Sequence, residues 1–167
     1  MEVKIYKQII LLGIFLLLLI GCNASDPTPA LENEEIEKLT VPTFSIHIRL
    51  TQAARNKLKS SGETIKGSVY FDGDGTPLPD VKTAPFRDVY LGKVEFETKG
   101  DGIVTISNAV ISTTAHSRLS DKNYHYFVNV YSGRHVFENN ILSGGYAQGR
   151  FHDLEENKTI TISCDLL

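Results

Sequence analysis

The chain has 167 residues, with 17 Lys and Arg against 20 Asp and Glu, so its formal net charge is −3. This mildly acidic balance argues against binding to nucleic acid, which requires clustered basic residues, and against electrostatic attachment to anionic lipid. The length suits a single domain that can bury a sizeable core without a disulfide. The sequence contains no recognisable cofactor motif, and we expect no cofactor.

The N-terminus has the pattern of an export signal. Lys4 and Lys7 precede an uncharged apolar run over residues 9–20. This length suits the apolar part of a secretory signal, whereas a membrane-spanning helix needs about 20 apolar residues. The run ends in Leu19-Ile20-Gly21-Cys22, which resembles the lipobox of bacterial lipoproteins. The alternative is a plain signal peptide that happens to contain a cysteine.

The lipobox resemblance implies that residues 1–21 are a cleaved signal peptide and that Cys22 carries the lipid. Acyl chains such as palmitate would then attach the protein to the bilayer, because each buried methylene contributes about 0.8 kcal/mol. The resemblance also implies a location in the bacterial cell envelope. Asn23, rather than Asp, follows the cysteine, which favours the outer membrane and a periplasm-facing domain if the source is Gram-negative.

Residues 22–42 are predicted to be a lipidated flexible tether, because prolines and clustered acidic residues do not favour a packed structure. The remaining residues, 43–167, are predicted to form one domain. From Phe44 the apolar side chains alternate with polar ones, which predicts a half-buried strand over residues 44–50. Thr51 is then placed to cap a short helix over residues 52–59 that ends at a glycine.

The rest of the chain alternates between β-prone runs and turn signals. An Asp-Gly turn at residues 99–102 predicts a hairpin that joins two of these runs, because this dipeptide adopts the positive φ that hairpin turns need. A helical turn is expected at residues 115–121, and a short strand near Ile141. The further predicted strands cover residues 65–71, 89–98, 103–108, 124–132 and 158–166.

Six or seven short strands predict a mainly β fold, an antiparallel β-sandwich of about seven strands with one or two short helices. Residues 67–81 read Gly-Ser-Val-Tyr-Phe-Asp-Gly-Asp-Gly-Thr-Pro-Leu-Pro-Asp-Val. This stretch resembles the opening of transthyretin-like and carboxypeptidase-regulatory-like sandwiches. The resemblance implies a transthyretin-like or immunoglobulin-like sandwich, and it implies no activity.

The acidic turn after residue 71 is the candidate metal site. It does not match an EF-hand loop, because Pro77 and Thr83 stand where that loop requires Gly and Glu. A looser calcium site formed by Asp72, Asp74 and Asp80 is one interpretation, and an acidic turn without a metal is the other.

Histidine and cysteine offer no strong metal or catalytic signal. The five histidines are His47, His116, His125, His135 and His152, and none are spaced as zinc ligands. Cys164 lies among alternating apolar residues, which predicts a buried strand residue rather than a catalytic thiol.

The run at residues 124–132 has two unlike sides. The side from Tyr124 to Val130 is uniformly apolar and is predicted to face the core. The other side, with the loop after it, mixes aromatic and polar groups, as recognition surfaces do. The candidate partner-binding residues are His125, Phe127, Asn129, Tyr131, Arg134 and His135. The alternative is that Phe127 and Tyr131 pack under a covering loop.

These observations predict a lipid-anchored, periplasm-facing protein that is not an enzyme and binds a protein of the envelope. An inhibitor or immunity-type protein and an accessory of an envelope assembly are both compatible with this prediction. The competing class is a hydrolytic envelope enzyme. It would require a concave cluster of titratable groups with shifted pKa values, for example around His125, His135 and His152.

Overall fold

The computed structural model describes residues 38–79, 87–154 and 158–167. The predicted signal peptide, Cys22, residues 23–37 of the predicted tether and Asp80 lie outside these ranges. The described residues form a mainly β structure in which two four-stranded sheets pack together with two short helices. The predicted fold class is therefore confirmed at this level.

The described residues form ten strands, so the prediction of about seven was too low. The strands are β1 (Lys38–Thr40), β2 (Phe44–Leu50), β3 (Ile65–Gly73), β4 (Val89–Thr98), β5 (Gly102–Ile106), β6 (Val110–Ser112), β7 (His125–Ser132), β8 (Leu142–Ser143), β9 (Tyr146–Arg150) and β10 (Thr159–Leu166). The helices are α1 (Gln52–Ser61) and α2 (Thr113–Ser117), and a 3₁₀ turn covers Phe151–Asp153. The missed strands β1, β6 and β9 have three to five residues, too few to show a clear period of two.

The first sheet has the strand order β5-β2-β10-β8, and the second sheet has the order β4-β3-β7-β9. Strands β1 and β6 form a separate two-stranded ribbon. Beside this ribbon Val41 is buried and donates its backbone N–H to the Ala109 carbonyl at 2.8 Å. The folded domain therefore includes residues 38–42, which lie in the range predicted as tether.

One strand pair departs from the antiparallel expectation. β10 runs parallel to β2, with Thr159 opposite Ser45 and Cys164 opposite Leu50. The alternation of apolar residues specifies which face of each strand is buried, but not the direction of its neighbour. A tight turn cannot join parallel strands, and the long connection between β2 and β10 through the second sheet permits the parallel direction.

The predicted hairpin at residues 99–102 is wrong. β4 pairs with β3 in the second sheet, whereas β5 pairs with β2 in the first sheet, so the chain crosses from one sheet to the other at this point. Gly102 has the positive φ expected, at 141°, and Asp101 accepts a hydrogen bond from Arg55 Nη2 at 2.6 Å. The Asp-Gly dipeptide thus lies at a sharp change of chain direction. Burial of apolar side chains in the core determines that β5 pairs with β2 rather than with β4.

The core lies between the sheets and is built from the alternating residues that the sequence indicates. The inward side chains of β2, β3, β7 and β10 are Phe44, Ile46, Ile48, Ile65, Val69, Phe71, Tyr126, Val128, Val130, Ile160, Ile162 and Cys164. The prediction that Cys164 is buried is confirmed, and its burial raises the pKa of the thiol. A raised pKa disfavours the thiolate that nucleophilic chemistry needs.

Helix α1 begins at the predicted residue and is followed by the predicted glycine, but it continues two residues beyond the predicted last residue, 59. The Thr51 hydroxyl accepts the Ala54 N–H at 3.4 Å, and Gly62 ends the helix with a left-handed φ of 76°. Ala54 and Leu58 are its buried residues. Among the helices that the structure describes, none is long and apolar enough to span a membrane.

Candidate functional site

The outer face of the second sheet collects large side chains from all four of its strands. Register places Asp72 opposite His125, Tyr70 opposite Phe127, and Lys66 opposite Tyr131, and the same rows continue into β4 and β9. We call this surface the aromatic face. It comprises Lys66, Ser68, Tyr70, Asp72, Tyr90, Lys93, Glu95, Glu97, His125, Phe127, Asn129, Tyr131, Tyr146, Gln148 and Arg150.

The division of β7 into two sides is as predicted. Tyr124, at its start, and Tyr126, Val128 and Val130 are buried, so this side faces the core. On the opposite side Asn129 is exposed, and His125, Phe127 and Tyr131 are half-buried. The candidate binding residues of β7 therefore lie on the aromatic face.

The rings of the aromatic face are held by contacts with neighbouring strands. Phe127 stacks on Tyr146 with ring centroids 5.9 Å apart, and Lys93 Nζ lies 5.1 Å from the centroid of the Tyr70 ring. The Tyr131 hydroxyl lies 3.3 Å from Ser68 Oγ. Aromatic rings with fixed orientation and polar tips are the residue types that contribute most to protein interfaces.

The loop after β7 is held by one buried carboxylate, that of Glu63. Its Oε1 accepts the backbone N–H of Thr64 and His135 at 2.9 and 3.2 Å, and its Oε2 accepts those of Val136 and Phe137 at 2.9 and 3.1 Å. We call residues 133–137 the Glu63 loop. Burial by itself would raise the pKa of Glu63, but the four N–H donors outweigh it and lower the pKa to about 2.

The Glu63 loop presents its side chains beside the aromatic face. Arg134 has a positive φ of 59°, and its guanidinium lies 5.9 Å from the centroid of the Tyr131 ring. His135 Nε2 lies 2.6 Å from Glu97 Oε1, and hydrogen bonds from Thr64 and His135 lower the pKa of Glu97. Lys66, Glu97, Tyr131 and Arg134 line a groove of about 430 Å³.

The six candidate binding residues lie on one continuous surface but do not form one pocket. Tyr131, Arg134 and His135 lie at the groove end, and His125 lies at the other end of β7. His125 and Tyr131 are six positions apart on β7, which corresponds to about 20 Å of strand. The suggested cluster of His125, His135 and His152 does not form around a single cavity. His125 lines the concavity at its own end of β7, whereas His135 and His152 are not among the described residues that line it, and His135 contacts Glu97 at the groove end.

Some residues at the aromatic face and its adjoining loop were not predicted from the sequence. Tyr70, Lys93 and Tyr146 belong to other strands, and only the register brings them beside Phe127. The alternation in residues 65–71 could have indicated that Tyr70 faces outward. Nothing in the sequence indicates that Glu63 holds this loop, because the three loop N–H groups bound by its carboxylate lie more than 70 residues further along the chain.

A second concavity lies at the His125 end. It has a volume of about 500 Å³, and its charged lining residues include Asp72, Arg87, Arg150 and Asp153. We call it the Asp72 cavity. The Asp72 side chain is only 3% exposed. Burial raises its pKa to about 6, although the Arg87 guanidinium acts in the opposite direction.

The calcium interpretation of the acidic turn is not tested as a set, because Asp80 lies outside the described ranges. Arg87 already occupies the space between the other two acids: its Nη1 lies 2.6 Å from Asp74 and its Nε 3.9 Å from Asp72. Among the described residues there is no group of three or more His, Cys, Asp or Glu arranged to hold a metal ion.

The lining of the Asp72 cavity limits the covalent chemistry that it can support. No Ser, Thr or Cys belongs to the described residues that line the Asp72 cavity, so a covalent nucleophile of these types is not placed there. Aromatic rings, two arginines and a fixed loop instead provide contacts for another molecule. In comparisons with known proteins, no family model, no curated protein and no solved structure matches this chain.

Proposed function

We propose that this chain is a lipid-anchored protein of the bacterial envelope that binds a protein partner through the aromatic face and the Glu63 loop. The observation that carries the proposal is the convergence of aromatic and polar side chains from four strands on one accessible face. Surfaces of this composition are typical of protein interfaces, in which aromatic residues and Arg are enriched.

The Glu63 loop adds a second argument. Its backbone is held by a buried carboxylate at three positions, while Arg134, His135 and Val136 are exposed at its tip. A loop fixed before binding loses little conformational entropy when a partner docks. The combination of a fixed backbone and exposed side chains therefore supports recognition of a partner.

The envelope location rests on the Leu19-Ile20-Gly21-Cys22 motif. Lipid on Cys22 would keep the domain near the bilayer, with outer-membrane placement if the source is Gram-negative. An inhibitor or immunity-type role and an assembly accessory role both fit such a partner. The resemblance of residues 67–81 to transthyretin-like sandwiches remains a proposal about the type of sandwich.

The partner can be identified by site-specific photo-crosslinking in the intact, lipidated protein. A photoreactive amino acid replaces Gln148 on the aromatic face, and the matched control replaces Thr161 on the outer face of the first sheet. The proposal expects one protein adduct from the first position and none from the second. Equal adducts from both positions, or adducts from Thr161 alone, would contradict it.

The second candidate function is hydrolysis, and the Asp72 cavity is the observation that favours it. Asp72 has a raised pKa, and burial together with Arg87 lowers the pKa of His125. Groups with shifted pKa values in a concavity are a feature of catalytic sites. Such an enzyme would lose its hydrolysis of isolated envelope material on His125→Ala and keep it on Tyr131→Ala. The binding proposal expects no such hydrolysis from either protein.

A further inference from the structure

The Asp72 cavity contains hydrogen-bonding atoms that the described protein does not satisfy. Asp72 Oδ2 and His125 Nδ1 are both buried and have no hydrogen-bond partner among the described residues. Buried polar atoms in folded proteins are nearly always paired, so two unpaired atoms in one cavity need an explanation. Both residues line this cavity and lie directly opposite each other on β3 and β7.

Both unpaired atoms can accept a hydrogen bond, His125 Nδ1 when the ring proton lies on Nε2. An ionised carboxylate only accepts hydrogen bonds, and a neutral imidazole has one accepting nitrogen. His125 is held toward its neutral form, because burial and the charge of Arg87 lower its pKa. In that tautomer the cavity offers two buried acceptors on directly opposite residues of β3 and β7.

The charge of Asp72 is also only partly compensated. The nearest cation among the residues that the structure describes, Arg87, approaches Asp72 Oδ1 with its Nε at 3.9 Å, which is too long for a hydrogen bond. The same guanidinium makes its short contact with Asp74, at 2.6 Å. A buried carboxylate without a close partner is costly, and a compact cation at Oδ2 would remove that cost.

We propose that the Asp72 cavity binds a primary ammonium group, which donates hydrogen bonds to Asp72 Oδ2 and His125 Nδ1. Directly opposite residues of antiparallel strands have Cα atoms about 5 Å apart, so one small tetrahedral donor can reach both side chains. An anion is disfavoured because the carboxylate of Asp72 would repel it. Asp72 and Asp153 balance the charges of Arg87 and Arg150 on the lining, and a compact ammonium brings three donors to the unpaired acceptors.

An ammonium group could come from the lysine side chain of a bound polypeptide or from a small free amine. Two probes distinguish these sources: Nα-acetyl-lysine amide and methylammonium. N-methylguanidinium and Ca²⁺ are the comparison cations. Each is added to the full chain in detergent micelles, and the His125 ring signal, assigned with a His125→Asn variant, is followed by NMR. The titration extends to about 100 mM, since a ligand with two heavy atoms binds no tighter than the millimolar range.

The proposal expects a saturable shift of the His125 ring signal with an ammonium probe. Asp72→Asn should weaken that binding about tenfold or more, because a charge-assisted hydrogen bond is lost. Asp88→Asn is the matched control, as it removes the same charge from an exposed residue outside the cavity lining, and it should change binding by less than about threefold. Tighter binding of the lysine derivative identifies a polypeptide source, and tighter binding of methylammonium identifies a free amine.

Three results would overturn the proposal. They are no saturable shift with either ammonium probe, equal binding to the Asp72→Asn protein, and tighter binding of N-methylguanidinium or Ca²⁺ than of both ammonium probes. None of these depends on whether a protein partner docks on the aromatic face. Failure of the ammonium site therefore leaves the photo-crosslinking result unaffected, and the reverse also holds.

Discussion

The outer faces of the two sheets differ in the size of their side chains. On the first sheet, register aligns Ser45 with Thr105 and Thr159, and His47 with Ile103 and Thr161. We call this surface the hydroxyl face. On the second sheet the equivalent positions hold the rings and charges of the aromatic face. Both faces belong to sheets of four strands, so the sandwich itself does not require the difference.

The comparison distinguishes the residue types that suit an exposed strand from those that suit recognition of a partner. Small β-branched residues such as Thr suit an exposed strand, because they favour extended backbone and bury little apolar area. Tyr70, Phe127 and Tyr131 instead leave large rings half-buried on an outer face. The position of these three rings on the outer face of the second sheet supports the assignment of binding to that sheet.

The largest expected effect concerns the Glu63 loop beside the aromatic face. Glu63→Gln replaces one accepting oxygen by an NH₂ group and leaves two buried N–H groups without an acceptor, so we expect a loss of about 3 kcal/mol in the free energy of unfolding. Urea unfolding at neutral pH measures it. Glu138→Gln, an exposed change just after the same loop, is the control and should leave the stability unchanged.

The pH dependence of this effect has a definite sign. The pKa of Glu63 is about 2 in the folded protein against an ordinary 4.5, so the stabilisation is complete above pH 4.5 and is lost as the pH falls toward 2. The difference in stability between the native protein and Glu63→Gln should therefore shrink across that range. A difference that stays constant from pH 6 to pH 3 would contradict the assigned role of Glu63.

The next largest effect is expected on partner affinity, and it compares variants on the aromatic face with a variant on the hydroxyl face. Once photo-crosslinking has identified the partner, Tyr131→Ala and Arg134→Ala should each weaken its binding about 30-fold, as expected for residues that contribute about 2 kcal/mol. Arg49, an exposed residue of β2 opposite Ser163 of β10, continues the hydroxyl face. Arg49→Ala removes the same charge as Arg134→Ala and should leave the affinity unchanged. Calorimetry on folded variants measures the affinities. Equal losses from both faces would remove the distinction between them.

A smaller effect of opposite sign is expected at Asp72. The folded protein holds the Asp72 proton up to about pH 6, against an ordinary pKa of 3.8, so stability contributed by this group falls as the pH rises from 3.8 to 6. Asp72→Asn should therefore stabilise the protein at pH 7 by about 1 kcal/mol, after the loss of the weak Arg87 attraction. Thermal unfolding at pH 4 and pH 7 tests this, and a variant that is less stable at pH 7 would contradict it.

The smallest effect is expected on the hydroxyl face. Thr161→Ala changes an exposed residue of β10, and we expect a change in stability of less than about 1 kcal/mol and no change in partner binding. The same urea and calorimetry measurements apply. A large loss of binding in this variant would move the interface to the first sheet.

Local patterns predicted much of the fold. Residues 89–98 form a strand with the predicted bounds, and the cap at Thr51 and the glycine end of α1 follow from side-chain chemistry within a few residues. The buried side of β7 follows from its alternation. The partner of β5 and the parallel pairing of β10 with β2 did not follow, because pairing between distant strands depends on how the whole core closes.

The residues of the candidate site also fall into two groups, those predicted from a local pattern and those that depend on contacts between distant parts of the chain. Phe127, Asn129 and Tyr131 emerged from the pattern of one strand, because a period of two separates the two sides of a strand without reference to its neighbours. Tyr70 and Tyr146 joined them only through register, and Glu63 joined them only because its carboxylate meets the N–H groups of a distant loop. Asp72 appeared in the sequence as part of an acidic turn, and its burial beside His125 became visible only in the folded chain.

The sequence by itself determined the β-rich class, the strands with clear alternation and the buried position of Cys164, because each depends on side chains close together in the chain. Only the tertiary structure decided which strands are neighbours, which outer face collects the aromatic rings, and where two acceptors are left unpaired in a cavity. Those features depend on contacts between residues far apart in the chain, and such contacts form only when the two sheets pack around one core.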